Sequence, residues 1–159
     1  TGGPIARVSW KECFDSWLFP TGYVADLDQY LVCPPEEIFD HVGITPNTYV
    51  AAVTRGLPID KNIIPALLET PAAYIGLIGS RRRWSLTVAA LKENFGLTDV
   101  QLARVHAPIG LELEAETPKE IALSIMAEIT MMRRGGTGAP MQTSPAALPK
   151  TDRQPTSQG

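Results

Sequence analysis

From residue 48 onward the apolar positions form short dense runs separated by longer helical stripes. Thr48-Tyr49-Val50-Ala51-Ala52-Val53-Thr54 is an uninterrupted β-prone run between Pro46-Asn47 and Arg55-Gly56, which predicts a strand buried on both faces. Ile63, Ile64, Leu67 and Leu68 then recur at helical spacing before Pro71, with Asp60 as the expected N-cap. Ala72 to Gly79 gives a second buried-strand run. Trp84, Val88, Leu91 and Phe95 follow at helical intervals. They predict a long helix, capped by Ser80 and stopped by Gly96, that lays this stripe on the sheet and turns Arg82, Lys92 and Glu93 outward. Thr98-Asp99-Val100-Gln101 and Thr117-Pro118-Lys119-Glu120 both have the capping-box form, and the second places Pro at the first helical position. The helix it opens carries Ile121, Ile125, Ile129 and Met132 on one stripe and ends in Arg133-Arg134-Gly135, where positive charge suits the carbonyl end.

The first third of the chain is less regular. Val8 and Trp10 alternate with polar neighbours, predicting a short strand around Ala6 to Lys11, whereas Phe14 to Gln29 shows no sustained period and reads as loop. Tyr30-Leu31-Val32-Cys33 is a compact apolar run closed by Pro34-Pro35, so a strand is expected there. A short helix follows, with Glu36 and Glu37 in its first turn and Ile38, Phe39 and Val42 along it. Strands alternating with helices at this spacing predict parallel β-α-β units: an α/β, Rossmann-like sheet flanked by helices. Beyond Arg134 the character changes. Gly135 to Gly159 contains four Gly, four Pro and no aromatic residue, too little apolar surface to offset the entropy of ordering it. The expected organisation is one domain over residues 1–134 and a disordered tail over 135–159.

Composition narrows the function classes. With 159 residues, 44% of them apolar, the chain can bury one substantial core. A net charge of −3 gives no general attraction to nucleic acid or an anionic membrane. No apolar run reaches the roughly 18 residues of a membrane span, and no charged-then-apolar leader opens the chain, so a cytoplasmic protein is expected. Cys13 and Cys33 match neither a zinc pattern nor a disulfide framework and are expected to be buried structural thiols. The chain opens Thr1-Gly2-Gly3-Pro4 without a Met, which reads as a piece of a longer protein.

Candidate chemistry gathers at Gly79, Ser80, Arg81, Arg82 and Arg83. A buried strand delivers the chain to Gly79-Ser80 and a helix begins there, so free amides, a hydroxyl and three guanidinium groups are expected at the C-terminal edge of a parallel sheet. Open α/β sheets bind ligands at that edge, and helix N-termini favour anions. The plain alternative is a serine cap followed by solvated arginines. His106-Ala107-Pro108-Ile109-Gly110 is a turn whose histidine reads most simply as structural, bonded to backbone. Neither His41 nor His106 has a partner at metal-ligand spacing, so no protein-bound metal is expected. No Gly-x-Gly-x-x-Gly, P-loop or Gly-x-Ser-x-Gly occurs, and no pairing among the carboxylates can be read from the sequence. A self-sufficient dehydrogenase is therefore disfavoured.

Three motifs in order, Tyr74-Ile75-Gly76-Leu77-Ile78-Gly79-Ser80-Arg81-Arg82, His106-Ala107-Pro108-Ile109-Gly110-Leu111 and Glu116-Thr117-Pro118-Lys119-Glu120-Ile121-Ala122, closely resemble the C-terminal Rossmann-type domain of the xanthine dehydrogenase accessory (XdhC/CoxI) family. The likeness is densest over residues 71–134, and the chain reads as lacking the family's first strand and Gly-rich turn. The resemblance implies a chaperone and carrier rather than a turnover enzyme. Such a factor binds molybdenum cofactor as cargo, assists its sulfuration and hands it to a molybdenum hydroxylase such as xanthine dehydrogenase. A cysteine desulfurase and a second copy of the chain are the further partners it implies. Its cofactor-binding residues would be Thr54, Gly76, Gly79, Ser80, Arg81, Arg82, His106, Pro108 and Gly110, with Asp60 matching the acid that opens the next helix. Only Thr54 carries over where the family tends to show Thr-His-Asp, since this chain reads Thr54-Arg55-Gly56. The alternatives are an NAD(P)-binding Rossmann-like oxidoreductase fragment and an interaction module without a ligand.

Overall fold

A computed structural model describes residues 8–10, 29–31 and 37–142. Of the expected loop from Phe14 to Gln29 only Gln29 is described, and it opens a strand instead; the thiols Cys13 and Cys33 and the last seventeen positions, 143–159, lie outside the described residues. Strands β1 (Val8–Trp10) and β2 (Gln29–Leu31) pair in parallel as a two-stranded sheet. A short helix α1 (Ile38–His41) precedes the larger sheet and contributes no buried side chain.

That sheet has the order β3 (Tyr49–Ala52), β4 (Tyr74–Leu77), β5 (Val105–His106), all parallel. Its register pairs Tyr49 with Tyr74 and Ala51 with Gly76, while Ile75 faces Val105 and Gly76 faces His106. Because side chains alternate along a strand, this register sorts the residues into two faces. Val50, Ala52, Ile75, Leu77 and Val105 share the face covered by helices α2 (Leu57–Leu68) and α3 (Arg81–Phe95). Ile63, Ile64, Leu67, Leu68 and Leu91 complete that core, together with Leu102 from the single-turn helix α4 (Asp99–Leu102). Tyr49, Tyr74, Gly76 and His106 share the other face, covered by α5 (Pro118–Arg134) through Ile121, Ile125 and Ile129. The result is the expected open α/β sheet with helices on both sides, which places the C-terminal ends of β4 and β5 side by side.

Several local expectations meet corrections. β3 is not buried on both faces, because α5 packs over Tyr49 and Tyr74 but leaves Ala51 exposed and Val53 65% exposed. Asp60 is not the cap of α2. Gly56 occupies that position and Pro58 fixes the first turn, so Asp60 falls inside the helix and is fully buried. On α3 the inward stripe contains Trp84, Val88 and Leu91 as expected, but Thr87 is fully buried with its hydroxyl donating to the Arg83 carbonyl. Phe95, the last helical residue, runs past the sheet and is 49% exposed. Met132 is exposed for the same reason near the end of α5. The caps follow the sequence closely. Ser80 accepts from the Arg83 amide, both capping boxes close reciprocally, and Gly96 and Gly135 end their helices in the left-handed conformation. Gly135 and Gly136 both donate to the Met131 carbonyl, so the helix ending extends two residues into the segment expected to be tail.

Candidate functional site

Two buried polar clusters hold the sheet's C-terminal edge in shape. The first joins the end of β3, the first turn of α2 and the start of α3. Asp60 accepts from Arg83 Nε at 2.9 Å and from Nη2 at 2.7 Å on both carboxylate oxygens. Thr54 donates its hydroxyl to Asp60, and Arg83 reaches the Thr54 carbonyl at 3.1 Å. A buried carboxylate requires such compensation, and the planar guanidinium supplies several donors at once. The cluster pins the N-terminus of α3, and with it Gly79, Ser80 and Arg81. A Cβ on Gly79 would lie 3.1 Å from Arg83 Cδ, so glycine here makes room for the arginine crossing to Asp60.

The second cluster centres on Glu128 of α5. Its Oε2 accepts from the Tyr74 hydroxyl at 2.6 Å and from the Gly110 amide at 2.6 Å, while Oε1 lies 2.9 Å from His106 Nδ1. The Tyr74 and His106 rings pack with centroids 4.6 Å apart. Burial pushes the Glu128 carboxyl up, but the Tyr74 hydroxyl, the Gly110 amide and His106 together outweigh it and hold the group below the usual carboxylate range. Burial, then the hydrogen bond and charge of Glu128, raise the Tyr74 phenol well above its ordinary value. His106 thus bonds through Nδ1 to a carboxylate, and not to backbone as the simplest reading of the sequence had it.

Between these clusters, at the ends of β4 and β5, opens a cleft of about 360 Å³, within the size range of small-ligand sites. Ile78, Gly79 and Arg81 form one side, Pro108 to Ala115 a second, and Ile121 with Ser124 of α5 the floor. The sequence placed Gly79, Arg81, Pro108 and Gly110 together, and the structure brings all four to this cleft. Ser80 borders a narrow neighbouring recess with Arg83, Trp84 and Pro108. Arg82 is exposed on α3. Thr54 is enclosed in the Asp60 cluster, and His106 points to Glu128. Gly76 lies beneath the Ile109 side chain, which occupies the space a Cβ would need; its smallness serves packing.

The charge at the mouth also differs from expectation. Three arginines do not converge: Arg83 is committed to Asp60, and Arg81 lies 3.6 Å from Glu112 with side chains 86% and 78% exposed, a pair worth little in water. Glu112 and Glu114 line the same cleft, so its mouth carries mixed charge above an apolar wall of Ile78, Leu111, Leu113 and Ile121. Sequence reasoning missed the segment Leu111 to Ala115 as a wall, and it missed Asp60 and Glu128 as buried partners. A signal existed for both acids. Each lies on the inward stripe of its helix, Asp60 one turn before Ile63 and Ile64, Glu128 between Ile125 and Ile129. Among the described residues no group of His, Cys, Asp and Glu is arranged to hold a metal ion, and no helix is long and apolar enough to cross a membrane.

With this geometry in place, similarity to known proteins becomes informative. The chain is 38% identical over 100 residues to the uncharacterized protein YqeB of Escherichia coli (strain K12), an alignment covering 63% of this chain and 18% of that protein. It is 28% identical over 135 residues to a probable xanthine dehydrogenase subunit of Bacillus subtilis (strain 168), covering 84% of the chain and 37% of the relative. It is 28% identical over 90 residues to the molybdenum cofactor insertion chaperone PaoD of Escherichia coli (strain K12), covering 57% and 28%. The chain thus spans between 18% and 37% of the length of these curated relatives. A crystal structure of a xanthine dehydrogenase from Bacillus halodurans superposes with a TM-score of 0.65 at 27% identity, over 80% of this chain and 36% of that one. The sequence profile described as the XdhC Rossmann domain matches residues 14–129, and the chain belongs to that family.

Proposed function

We propose that this chain is the Rossmann part of a maturation factor that holds molybdenum cofactor as cargo in the cleft between the ends of β4 and β5. The factor would keep the cofactor while its sulfido ligand is installed and pass it to a xanthine dehydrogenase-like client. The observation that carries this reading is the alignment with a relative named as a molybdenum cofactor insertion chaperone. The cleft supplies a place consistent with it. Its apolar wall suits the flat organic part of such a ligand, and its one cationic side chain, Arg81, stands beside the first turn of α3. Helix geometry leaves the Arg81 and Arg82 amides without intrahelical acceptors, the Arg83 amide being taken by Ser80, so those two and the Arg81 guanidinium together would receive the anionic end. A cysteine desulfurase as sulfur donor and pairing with a second copy belong to the same proposal.

Anaerobic titration of molybdenum cofactor against the intact chain, followed by tryptophan fluorescence and by the thermal midpoint, tests this. Binding should raise the midpoint, because a ligand that binds only the folded state stabilises it. Arg81→Ala should weaken binding by about three- to tenfold at low salt and by less at high salt, as expected for an exposed charge. Absence of binding by the intact chain, or equal affinity of both proteins at low salt, would refute the assignment of this cleft.

A further inference from the structure

We propose that Glu128 is a positioning residue for this cleft: it holds the Gly110 amide and thereby sets the wall that continues through Leu111 and Leu113. The inference rests on the cofactor-binding reading above, but its geometry stands independently. Glu128 lies behind the wall and is nearly enclosed, with a side-chain exposure of 11%. Its Oε2 meets the Gly110 amide at 2.6 Å while the same carboxylate is anchored by Tyr74 of β4 and His106 of β5. One turn earlier on α5, the Ser124 hydroxyl donates to the Leu111 carbonyl and the Leu111 amide donates to the Ser124 carbonyl at 3.3 Å. Two successive turns of α5 therefore grip two successive residues of the wall. Gly110 has φ +102°, and a Cβ there would collide with Ser124 Oγ, so the main chain is drawn onto the helix too closely for any other residue. Such an arrangement fixes a binding wall by its supporting shell.

The experiment pairs Glu128→Ala with Glu128→Gln in the intact chain. Glutamine retains an oxygen for Tyr74 and Gly110, and its NH2 group can donate to a His106 Nδ1 that carries no proton. Alanine retains nothing. Hydrogen exchange at the Gly110 and Leu111 amides and affinity for molybdenum cofactor are measured for each. Glu128→Ala should speed exchange at those amides, leave the Leu67 and Leu91 amides protected, and weaken binding about tenfold or more. Glu128→Gln should keep the wall protected and bind within about threefold of the parent. Unchanged exchange at Gly110, uniform loosening of the whole domain, or full affinity in Glu128→Ala would overturn the inference. Should the alanine variant fail to fold, a glutamine variant with a protected wall but tenfold weaker binding overturns it instead. If the parent chain binds no cofactor, the cargo reading fails, whereas the exchange pattern still decides whether Glu128 holds the wall.

Discussion

Asp60 and Glu128 are buried acids whose partners arrive from distant parts of the chain, and both sit behind the cleft and outside it. Arg83 lies 23 residues from Asp60 and Tyr74 lies 54 residues from Glu128. Replacing Arg83 by Met would leave the Asp60 carboxylate buried with only Thr54 beside it. Breaking a buried pair in this way costs about 3–5 kcal/mol, and chemical denaturation should show that loss; a cost under about 1 kcal/mol would mean that water reaches Asp60 instead. Glu128 gives a pH signature. Its carboxyl is held below the usual range in the folded state, so its contribution is full above the unfolded value and is lost as pH falls through the lower folded value. Stability of the parent should therefore drop more steeply than that of Glu128→Gln as pH falls through and below the ordinary glutamate range. Parallel curves would show that Glu128 is not the group responsible. The sequence exposed neither partnership. It did contain a clue, an acid on an apolar stripe, but which side chain answers that acid depends on how the strands are ordered.

Elements whose signals are local read well from the sequence. Ser80, Thr98 and Thr117 cap the helices they were expected to cap, since a hydroxyl and an amide three residues apart meet as soon as the helix forms. The stripe of α3 was legible in its middle, where Leu91 is fully buried. Leu91→Ala should cost about 2–5 kcal/mol as a large-to-small change in a packed core. A loss below about half a kcal/mol would mean that the helix does not rest on the sheet through this residue. The stripe failed at its end, because periodicity says which way Phe95 points and not whether the sheet extends beneath it. The same limit explains β3. A dense β-prone run predicts two covered faces, but coverage of Val53 depends on where α5 crosses. At Asp60 two local signals competed, and Gly56 with Pro58 set the helix start one turn earlier than the acid implied.

At the scale of the whole molecule, helices on both faces leave the ends of β4 and β5 open, and the cleft follows from that topology. The last seventeen residues, 143–159, contain a single large apolar side chain, Leu148. Removing them should leave the thermal midpoint unchanged; a fall of several degrees would show that they pack on the domain. Cutting further, at Arg134, would also remove the Gly135 ending of α5, so the two truncations are expected to differ. By itself the sequence determined the alternation of strands and helices, the caps of α3, α4 and α5, and the meeting of Gly79, Arg81, Pro108 and Gly110, because a parallel β-α-β chain delivers its strand ends to one edge. Only the tertiary structure decided which arginine turns inward, that Glu128 backs the Gly110 wall, and that the mouth carries acids as well as Arg81. Those outcomes depend on burial and on partners far apart in the chain, and neither is fixed until the helices have closed over the sheet.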